Sequence, residues 1–442
     1  MSATTMTYRP ITRHNVDQLP QFHALPPELR HQIRVVSAVF PFRTNHYIVD
    51  ELIDWHNVPN DPMYQLTFPQ REMLSDEDFD QVAHLMDEHA SPKALKEAIY
   101  NIQMRHNPHP AGQLKYNVPT LPDGTELHGV QHKYHETVLF FPSKGQTCHA
   151  YCSYCFRWPQ FVGIQDLKFA AKEVEGLVEY IRLHPEVSDI LFTGGDPAIM
   201  STEALRSYIE PLLAPELDHL HTIRIGTKAV AYWPQRFVTD DDADDLLRLF
   251  EELIAAGKHV AIMGHYSNPR ELSTPIAQAA IRRLRAAGCE IRMQAPIIRH
   301  VNDSVDDWAT LWREGVKLGL VPYYMFISRD TGPKHYFEVP LAESYQIFRD
   351  AYSQVSGLSR TVRGPVMSAT PGKVHINGVT RVKNERVFVL SFLQGRDPKW
   401  VGRPFFAKFD DEATWLFDLE PAFGTEPKFF DAETTYSYIR AS

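Results

Sequence analysis

The sequence predicts an α/β fold built on a sheet of parallel strands. From Thr137 onward, short apolar runs rich in β-branched and aromatic residues alternate with longer segments of helical periodicity. Six such units follow one another, each of about 30 residues, the usual length of a strand with its crossover helix. Polar or glycine residues end or follow every strand. Consecutive units of this kind imply parallel strands joined by right-handed crossovers, which fit both an open doubly wound sheet and a barrel.

The overall composition is that of a folded protein in a reducing compartment. The chain has 442 residues, 43% hydrophobic and 23% charged, enough for one large or two to three ordinary domains. Its net charge of −10 argues against binding to nucleic acid or to anionic membranes. Residues 1–19 lack the apolar core of a signal peptide, and no run reaches about 18 apolar residues. Four cysteines are too few for a disulfide framework, so we expect a cytoplasmic protein.

The chain divides into three predicted parts. Residues 1–130 predict a mainly helical extension, in which Ser75 and Ser91 are the N-caps of two helices. Residues 131–358 form the strand–helix core, and residues 359–442 form a small β-containing segment. The predicted helices of the extension are Pro27–Val36, Asp76–His89 and Pro92–Arg105.

The core elements are predicted from the alternation itself. The predicted strands are Thr137–Phe141, Asp189–Thr193, Thr222–Ile225, His259–Met263, Glu290–Gln294 and Val321–Ile327. The predicted helices are Leu167–Leu183, Thr202–Leu213, Asp240–Ala256, Arg270–Ala287, Val305–Leu318 and Leu341–Val355. In the last segment, strand character is predicted for Val374–Ile376 and Val387–Phe392.

Three of the four cysteines lie in one loop directly after the first core strand. Cys148, Cys152 and Cys155 have the spacing C-x3-C-x2-C. Three thiolates can hold a metal centre at three points and leave a fourth coordination position open. A closed zinc site is the simpler alternative, and it would need a histidine such as His149 as its fourth ligand.

The cysteine spacing and a second motif resemble the radical S-adenosylmethionine (radical SAM) superfamily. The second motif is Gly194-Gly195-Asp196 after the second strand, which alone would predict only a turn. The resemblance implies that the three cysteines hold a [4Fe–4S] cluster whose fourth iron binds SAM. It also implies SAM-binding roles for Gly194, Gly195, Asp196 and Gln294.

Many ordered matches narrow the resemblance to the lysine 2,3-aminomutase family. They extend from about Pro59 to Lys373, most of the chain. The matching segments are Pro59–Pro62, His132–Tyr134, Phe192–Pro197, Arg224–Thr227, Pro234–Arg236, Asn268–Leu272, Gln294, Arg299–Asp303 and Pro322–Tyr324. The resemblance implies a partial (β/α)6 barrel and pyridoxal 5′-phosphate (PLP) as a second cofactor.

The family pattern also implies roles for three further residues. Lys373, after Pro371-Gly372, falls where the family's PLP lysine stands, and Tyr134 falls where a tyrosine lies beside PLP. We therefore expect both to be catalytic. Arg157 falls where an arginine binds the substrate α-carboxylate. The simpler alternatives are a surface lysine, a tyrosine of the core and a surface arginine.

The sequence departs from the family at the cofactor sites. The basic residue that follows the tyrosine in the family is replaced near Glu136-Thr137, so some phosphate contacts must differ. The C-terminal cysteines that bind zinc in the lysine enzymes have no counterparts. Only Cys289 remains outside the loop, and we expect no zinc.

The substrate-binding positions depart as well. Of two aspartates that bind the distal ammonium of lysine, the first aligns with Arg329, or with Asp330 after a one-residue slip. The second falls in Ser368-Ala369-Thr370, which has no carboxylate. An arginine there would repel an ammonium group and attract a carboxylate, unless it pairs with Asp330 and faces away. We expect an acidic or neutral substrate in place of lysine.

These observations together predict a SAM- and PLP-dependent 2,3-aminomutase, an isomerase that converts an L-α-amino acid to a β-amino acid. The expected partners are the amino acid, a reductant such as flavodoxin or ferredoxin, and further copies of the chain. The first alternative is a radical SAM enzyme on the same scaffold that lacks PLP and abstracts hydrogen for another reaction. The second is a non-catalytic metal or iron–sulfur protein.

Overall fold

A single large sheet runs through the part of the chain that the structure describes. The structure, a computed structural model, describes residues 6–88, 90–108, 110, 116–163, 168–423 and 428–430. Its strands are β1 (Pro10–Thr12), β2 (Arg43–Asn45), β3 (Val130–Tyr134), β4 (Thr137–Phe140), β5 (Asp189–Phe192), β6 (Thr222–Thr227), β7 (His259–His265), β8 (Glu290–Ile297), β9 (Val321–Ile327), β10 (Arg363–Ser368), β11 (Gly372–Val382), β12 (Glu385–Gly395) and β13 (Pro404–Lys408). Strands β1 and β2 pair separately, and the other eleven form one sheet in the order of the chain.

The α-helices occupy the N-terminal region and the connections between the core strands. They are α1 (Pro20–Ala24), α2 (Pro27–Val39), α3 (Pro62–Thr67), α4 (Asp76–Asp87), α5 (Pro92–Arg105), α6 (Glu175–Leu183), α7 (Thr202–Ile209), α8 (Ala229–Tyr232), α9 (Ala243–Ala255), α10 (Pro275–Ala286), α11 (Val305–Lys317), α12 (Lys334–Phe337) and α13 (Leu341–Ser353). Among the described residues, no helix is both long and apolar enough to cross a membrane.

The order of the strands identifies the core as a partial barrel. Strands β4 to β9 are parallel, and each pairs with its neighbours in the chain. A doubly wound sheet would reverse its strand order at one point, whereas sequential pairing winds the chain in one direction. The barrel is not closed, because β4 pairs next with the antiparallel β3 and β9 with the parallel β10. The predicted partial (β/α)6 barrel is confirmed, with β10 as an added parallel strand.

Alternating burial along the strands separates an outer face from an inner face. On β8, Ile291, Met293, Ala295 and Ile297 are fully buried, whereas the residues between them keep partial exposure. The buried set packs against the helices: a Cβ atom on Gly315 of α11 would lie 2.3 Å from the sulfur of Met293. The partly exposed residues, Gln294 included, therefore line the inside of the barrel.

Most predicted elements are confirmed, and their differences have physical causes. The core strands β6, β7 and β8 continue two or three residues beyond the predicted apolar runs, because ladder pairing extends through Gly226-Thr227 and Gly264-His265. The helix predicted for Arg270–Ala287 is divided at Pro275, where Thr274 caps the new helix through its side chain. The helix predicted for Leu167–Leu183 begins only at Glu175, and the described residues before it, 168–174, are not helical. Leu167 itself and the predicted helix end at His89 lie outside the described residues.

A buried ion pair joins the N-terminal region to the barrel. Asp61 has no exposed surface, caps α3 by accepting from the N–H groups of Met63 and Tyr64, and lies 2.5 Å from Arg270. Arg270 follows β7 and also donates to the carbonyl of Leu52 at 2.8 Å. Two segments that resemble the lysine 2,3-aminomutase family, around Asp61 and around Arg270, thus contact each other directly.

We expect the substitution Asp61→Ala to lower the free energy of unfolding by about 3 kcal/mol, because it leaves a partly buried guanidinium without its partner. Urea denaturation followed by circular dichroism would measure the change. The control is Asp76→Ala, which removes the exposed partner of Arg71 and should leave the unfolding midpoint unchanged. Equal midpoints for wild type and Asp61→Ala would contradict the role assigned to the pair.

Candidate functional site

The cysteine loop (residues 146–157) is held in position by the N-terminal region. The N–H group of Tyr151 donates to the carbonyl of Arg43 at 2.8 Å, and that of Ser153 donates to the carbonyl of Leu66 at 2.9 Å. These bonds satisfy backbone groups that a loop cannot satisfy by itself. The predicted helical extension therefore shapes the loop, which the sequence did not indicate.

The three thiols of the loop are close enough to affect one another electrostatically. Burial is the main factor that raises the pKa of each thiol, to about 12 for Cys155, and neighbouring thiols add to the rise for Cys148 and Cys155. The hydroxyl of Tyr232 lies 3.3 Å from the sulfur of Cys152. Within the described ranges, no three His, Cys, Asp or Glu side chains converge on one point suited to a single metal ion. Cysteine thiolates are the ligands of iron–sulfur clusters, so three of them in one loop fit such a cluster by their chemistry.

His149 is engaged in aromatic packing. Its ring stacks on Trp233 at 6.4 Å and contacts Tyr8 edge-on at 5.1 Å. Burial, followed by the nearby charges of Arg236 and Arg43, lowers its pKa to about 3. Its Nδ1 atom is buried and has no hydrogen-bond partner among the described residues. The zinc alternative with His149 as fourth ligand is therefore neither supported nor contradicted by the packing of the ring.

Gly194 and Gly195 allow two loops to approach closely. A Cβ atom on Gly194 would lie 2.2 Å from Nε2 of Gln146, and one on Gly195 would lie 2.5 Å from the backbone nitrogen of Thr147. Gly194 also has φ +134°, a conformation that favours glycine. The motif after β5 thus packs against the cysteine loop, and its glycines are needed for that packing as well as for any contact with SAM.

The carboxylate of Asp196 is fully used within the chain. It accepts hydrogen bonds from the backbone N–H groups of Ala198, Lys228 and Ala229 and from the hydroxyl of Thr227 at 2.6 Å. Asp196 is buried, so this carboxylate joins the segment that follows β5 to the end of β6 and the start of α8. SAM contacts in this segment would fall to backbone groups. The direct cofactor contact expected of Asp196 stays a prediction.

A buried polar network lies beside the cysteine loop. Lys228 donates to Glu271 at 2.8 Å and to Ser267 at 3.1 Å, and the hydroxyl of Tyr154 lies 2.8 Å from Nε2 of His265. Lys228 and Glu271 are both nearly inaccessible to solvent. The network links the loop to the ends of β6 and β7, and sequence reasoning missed it because its members are isolated polar residues.

Gln294 connects the two halves of the site. It pairs with His265 of β7 on one side and with Tyr324 of β9 on the other. His265 contacts the cysteine loop through Tyr154, whereas Tyr324 contacts Lys373. Gln294 therefore stands on the inner face of the barrel between the predicted metal and PLP residues.

Lys373 extends from the second residue of β11 toward the barrel. Its amine donates to Oε1 of Gln394 at 2.7 Å and lies 4.9 Å from the ring centre of Tyr324 and 5.4 Å from that of Tyr134. Burial, followed by repulsion from Arg224 and Arg363, lowers the pKa of Lys373 to about 7. Lys373 and Tyr134 are thus neighbours, and the lysine is not a surface residue.

Arg157 and Arg329 share one aromatic ring. The guanidinium carbon of Arg157 is 5.0 Å, and that of Arg329 is 4.5 Å, from the ring centre of Phe156, so the two carbons lie within 9.5 Å of each other. Arg329 also contacts the hydroxyl of Ser368 at 3.1 Å, and its charge acts on Tyr134. Arg329 attracts Asp330 electrostatically, but its guanidinium faces the site.

Positive charge accumulates where these residues meet. Lys133 and Arg396 join Arg157, Arg329 and Lys373, and repulsion among these groups adds to burial in lowering the pKa of Lys133. In the described part of the chain, no carboxylate lies within 4.0 Å of the cationic groups of Lys133, Arg157, Lys373 or Arg396. All of these side chains keep partial exposure, which indicates that they line a cavity. Such a cavity is suited to ligands with several negative charges.

The residues around Lys373 fit PLP. The cofactor needs a lysine amine, a ring partner and cationic groups for its phosphate. Lys373, Tyr134 and the neighbouring cations provide these three kinds of group. In addition, the hydroxyl of Tyr134 is buried and has no hydrogen-bond partner in the described residues, as expected of an atom that faces a bound polar group.

Comparison with known proteins decides the family. The chain is 32% identical over 395 residues to a protein of Aquifex aeolicus (strain VF5) provisionally named L-lysine 2,3-aminomutase, and the match covers 89% of this chain and 91% of the relative. The chain belongs to the lysine 2,3-aminomutase family of radical SAM enzymes. L-lysine 2,3-aminomutase of Fusobacterium nucleatum is 28% identical over 235 residues, 53% of this chain and 52% of that enzyme. Family membership implies a [4Fe–4S] cluster, SAM, a small-molecule substrate and a reductant.

No family model matches the chain, and its similarity to solved structures is low. It is similar to a radical SAM methyltransferase from Sphaerobacter thermophilus with a TM-score of 0.36 and 16% identity, over 56% of this chain and 72% of that one. It is also similar to SuiB of Streptococcus suis bound to S-adenosylmethionine, with a TM-score of 0.35 and 12% identity over 62% and 56% of the two chains.

We expect Gly195→Ala to prevent incorporation of the iron–sulfur cluster, because the added methyl group would collide with the backbone of Thr147 in the cysteine loop. Iron and sulfide content after anaerobic reconstitution would measure the loss. Gly357→Ala is the matched control, since a Cβ atom there meets nothing within 4 Å. Full cluster content in Gly195→Ala would refute the close packing of the two loops.

We expect the amine of Lys373 to become reactive near pH 7. Because its pKa is lowered to about 7, the neutral form prevails above that pH, about three units lower than for an ordinary lysine. Competitive labelling with acetic anhydride across pH 5–11, read by peptide mass spectrometry, would give the apparent pKa. Lys408, whose pKa is raised by Glu420, serves as the internal control. A titration of Lys373 near pH 10 would contradict the burial of its amine.

Proposed function

We propose that the protein is a SAM- and PLP-dependent 2,3-aminomutase that acts on an acidic or neutral L-α-amino acid. One observation carries the proposal: the amine of Lys373 lies at the mouth of the barrel among basic side chains that continue, through Arg329, Phe156 and Arg157, into the cysteine loop. A radical generated at the cysteine loop and an amino acid held at Lys373 would therefore meet within one cavity.

The cofactors and the residues of the chain would have different roles in this reaction. When bound, the cluster with SAM supplies a hydrogen-abstracting radical, and PLP supplies the π system through which an amino group moves between adjacent carbons. With a pKa of about 7, the Lys373 amine is partly neutral at pH 7, and the neutral form is the one that attacks a carbonyl carbon. Tyr134 covers the space beside the amine with its ring. The barrel encloses the cavity, which keeps a reactive intermediate away from water.

Arg157 and Arg329 support an acidic substrate in particular. Arg157, the last residue of the cysteine loop, suits the α-carboxylate, because a guanidinium binds a carboxylate through two parallel hydrogen bonds. Arg329, on the other side of Phe156, suits a second carboxylate. An ammonium group at the same point would be repelled by Arg329 and by Lys133 nearby. A short dicarboxylic amino acid therefore fits the charge pattern better than lysine does.

The direct test is an anaerobic incubation of the reconstituted protein with SAM, PLP, a chemical reductant and single amino acids, with β-amino acids read by mass spectrometry. We expect a β-amino acid from a dicarboxylic or neutral amino acid. Turnover of lysine alone would exclude the proposed substrate class. Cleavage of SAM without any binding of PLP would instead favour a radical SAM enzyme of a different reaction.

We expect Arg329→Met to lower kcat/KM for a dicarboxylic amino acid by about 30-fold or more, because a buried carboxylate would lose its charged partner. Steady-state kinetics would compare this with turnover of a neutral amino acid, which should change much less. The control is Arg292→Met: Arg292 lies on β8, and its guanidinium pairs with Glu290. An equal loss for both kinds of substrate would remove Arg329 from substrate recognition.

A further inference from the structure

Two cations anchor on the turn that precedes Lys373. The amine of Lys133 donates to the carbonyl of Ala369 at 2.6 Å, and Nε of Arg396 donates to the carbonyl of Thr370 at 2.8 Å. These carbonyls belong to consecutive residues of the turn between β10 and β11. Lys133 comes from β3 and Arg396 follows β12, so the chain brings two distant basic residues to one short segment.

Both cations have hydrogen-bond donors beyond those that bond to described residues. Arg396 uses one further N–H on Asn117 at 2.5 Å and one on the carbonyl of Tyr116 at 3.4 Å. A guanidinium has five N–H donors and a lysine ammonium has three. Within the described ranges, each of these two side chains therefore has two donors that no protein acceptor occupies. Among the residues that the structure describes, neither has a carboxylate within salt-bridge distance, although burial makes an uncompensated charge costly.

The pairing of β12 with β11 sets the distance between Arg396 and the Lys373 amine. Gln394 accepts from Lys373, and Arg396 is the next residue on the same face, because its N–H group continues the ladder by donating to Pro371 at 3.0 Å. Alternate residues of a strand lie about 6.6 Å apart. The ring of Tyr134 is near both lysines, with its centre 5.4 Å from the Lys373 amine and 5.3 Å from that of Lys133.

We propose that Arg396, with Lys133, binds the phosphate group of PLP, an inference that rests on the proposed function. A phosphate monoester carries a charge of about −1.5 to −2 at pH 7 and has three strong acceptor oxygens, which match two cations with four donors. Thr137 is not a substitute for the basic residue that the family has near it, because its hydroxyl donates to Asp189. Arg396, from the C-terminal segment, supplies the missing positive charge from another direction.

The test compares PLP with pyridoxal, which has the same aldehyde but no phosphate. We would measure dissociation constants by absorbance for the wild-type protein and for Arg396→Met, Lys133→Met and Arg403→Met. Borohydride reduction and mass spectrometry would identify the lysine that is modified. For PLP, we expect each of the first two variants to weaken binding by about 10- to 100-fold, as for the loss of charge-assisted hydrogen bonds. For pyridoxal, all proteins should bind alike, and Arg403→Met should match the wild type throughout.

The possible outcomes separate this inference from the proposed function. If the wild-type protein binds no PLP at Lys373, the proposed function fails. If it binds PLP there but Arg396→Met binds PLP as tightly, the function stands and the phosphate site is wrong. If Arg396→Met loses PLP and pyridoxal to the same extent, Arg396 has only a structural role, and the inference is again refuted. Retention of most PLP affinity by Arg396→Lys, with loss in Arg396→Met, would identify charge as the cause.

Discussion

Repulsion between buried cationic side chains dominates the electrostatics at the end of the barrel where they meet. Lys133, Arg157, Lys373 and Arg396 converge from four different parts of the chain, and burial strengthens their repulsion. The fold offsets this repulsion through separate contacts. Two of the cations donate hydrogen bonds to carbonyls of one turn, and Arg157 lies against aromatic rings. A cavity of this kind is stabilised by anions, and its selectivity follows from where each cation is fixed.

The architecture could be predicted from sequence because each βα unit repeats the same local pattern. Five strands were not predicted, β1, β2, β3, β10 and β13, and in two of them the composition hides the strand. β3 contains His132 and Lys133, which interrupt its apolar character, and β10 contains Gly364-Pro365. Both strands pair at the two edges of the group of six predicted strands. At these edges, one side of the sheet faces solvent or the site. Pairing with a neighbour, rather than intrinsic preference, makes them strands.

The site could be predicted only where a motif is local. The cysteines, the two glycines and Lys373 lie in short segments with a recognisable spacing. Arg396 and Arg43 carry no such signal, because their importance arises from contacts with residues more than 100 positions away. Asp196 is the converse case. Its motif is evident in the sequence, yet its carboxylate accepts hydrogen bonds from Thr227 and Lys228 of the chain itself.

The bonds between the N-terminal region and the cysteine loop have a consequence for how the metal site is made. The backbone of Tyr151 pairs with Arg43, and that of Ser153 with Leu66, so the loop cannot take its shape from its own sequence. Bringing Tyr151 to Arg43 and Ser153 to Leu66 closes long segments of the chain, which costs conformational entropy that local contacts do not. An incompletely folded chain would thus present its thiols in no fixed arrangement. The spacing of the three thiols therefore depends on the packing of the N-terminal region against the barrel as well as on the loop itself.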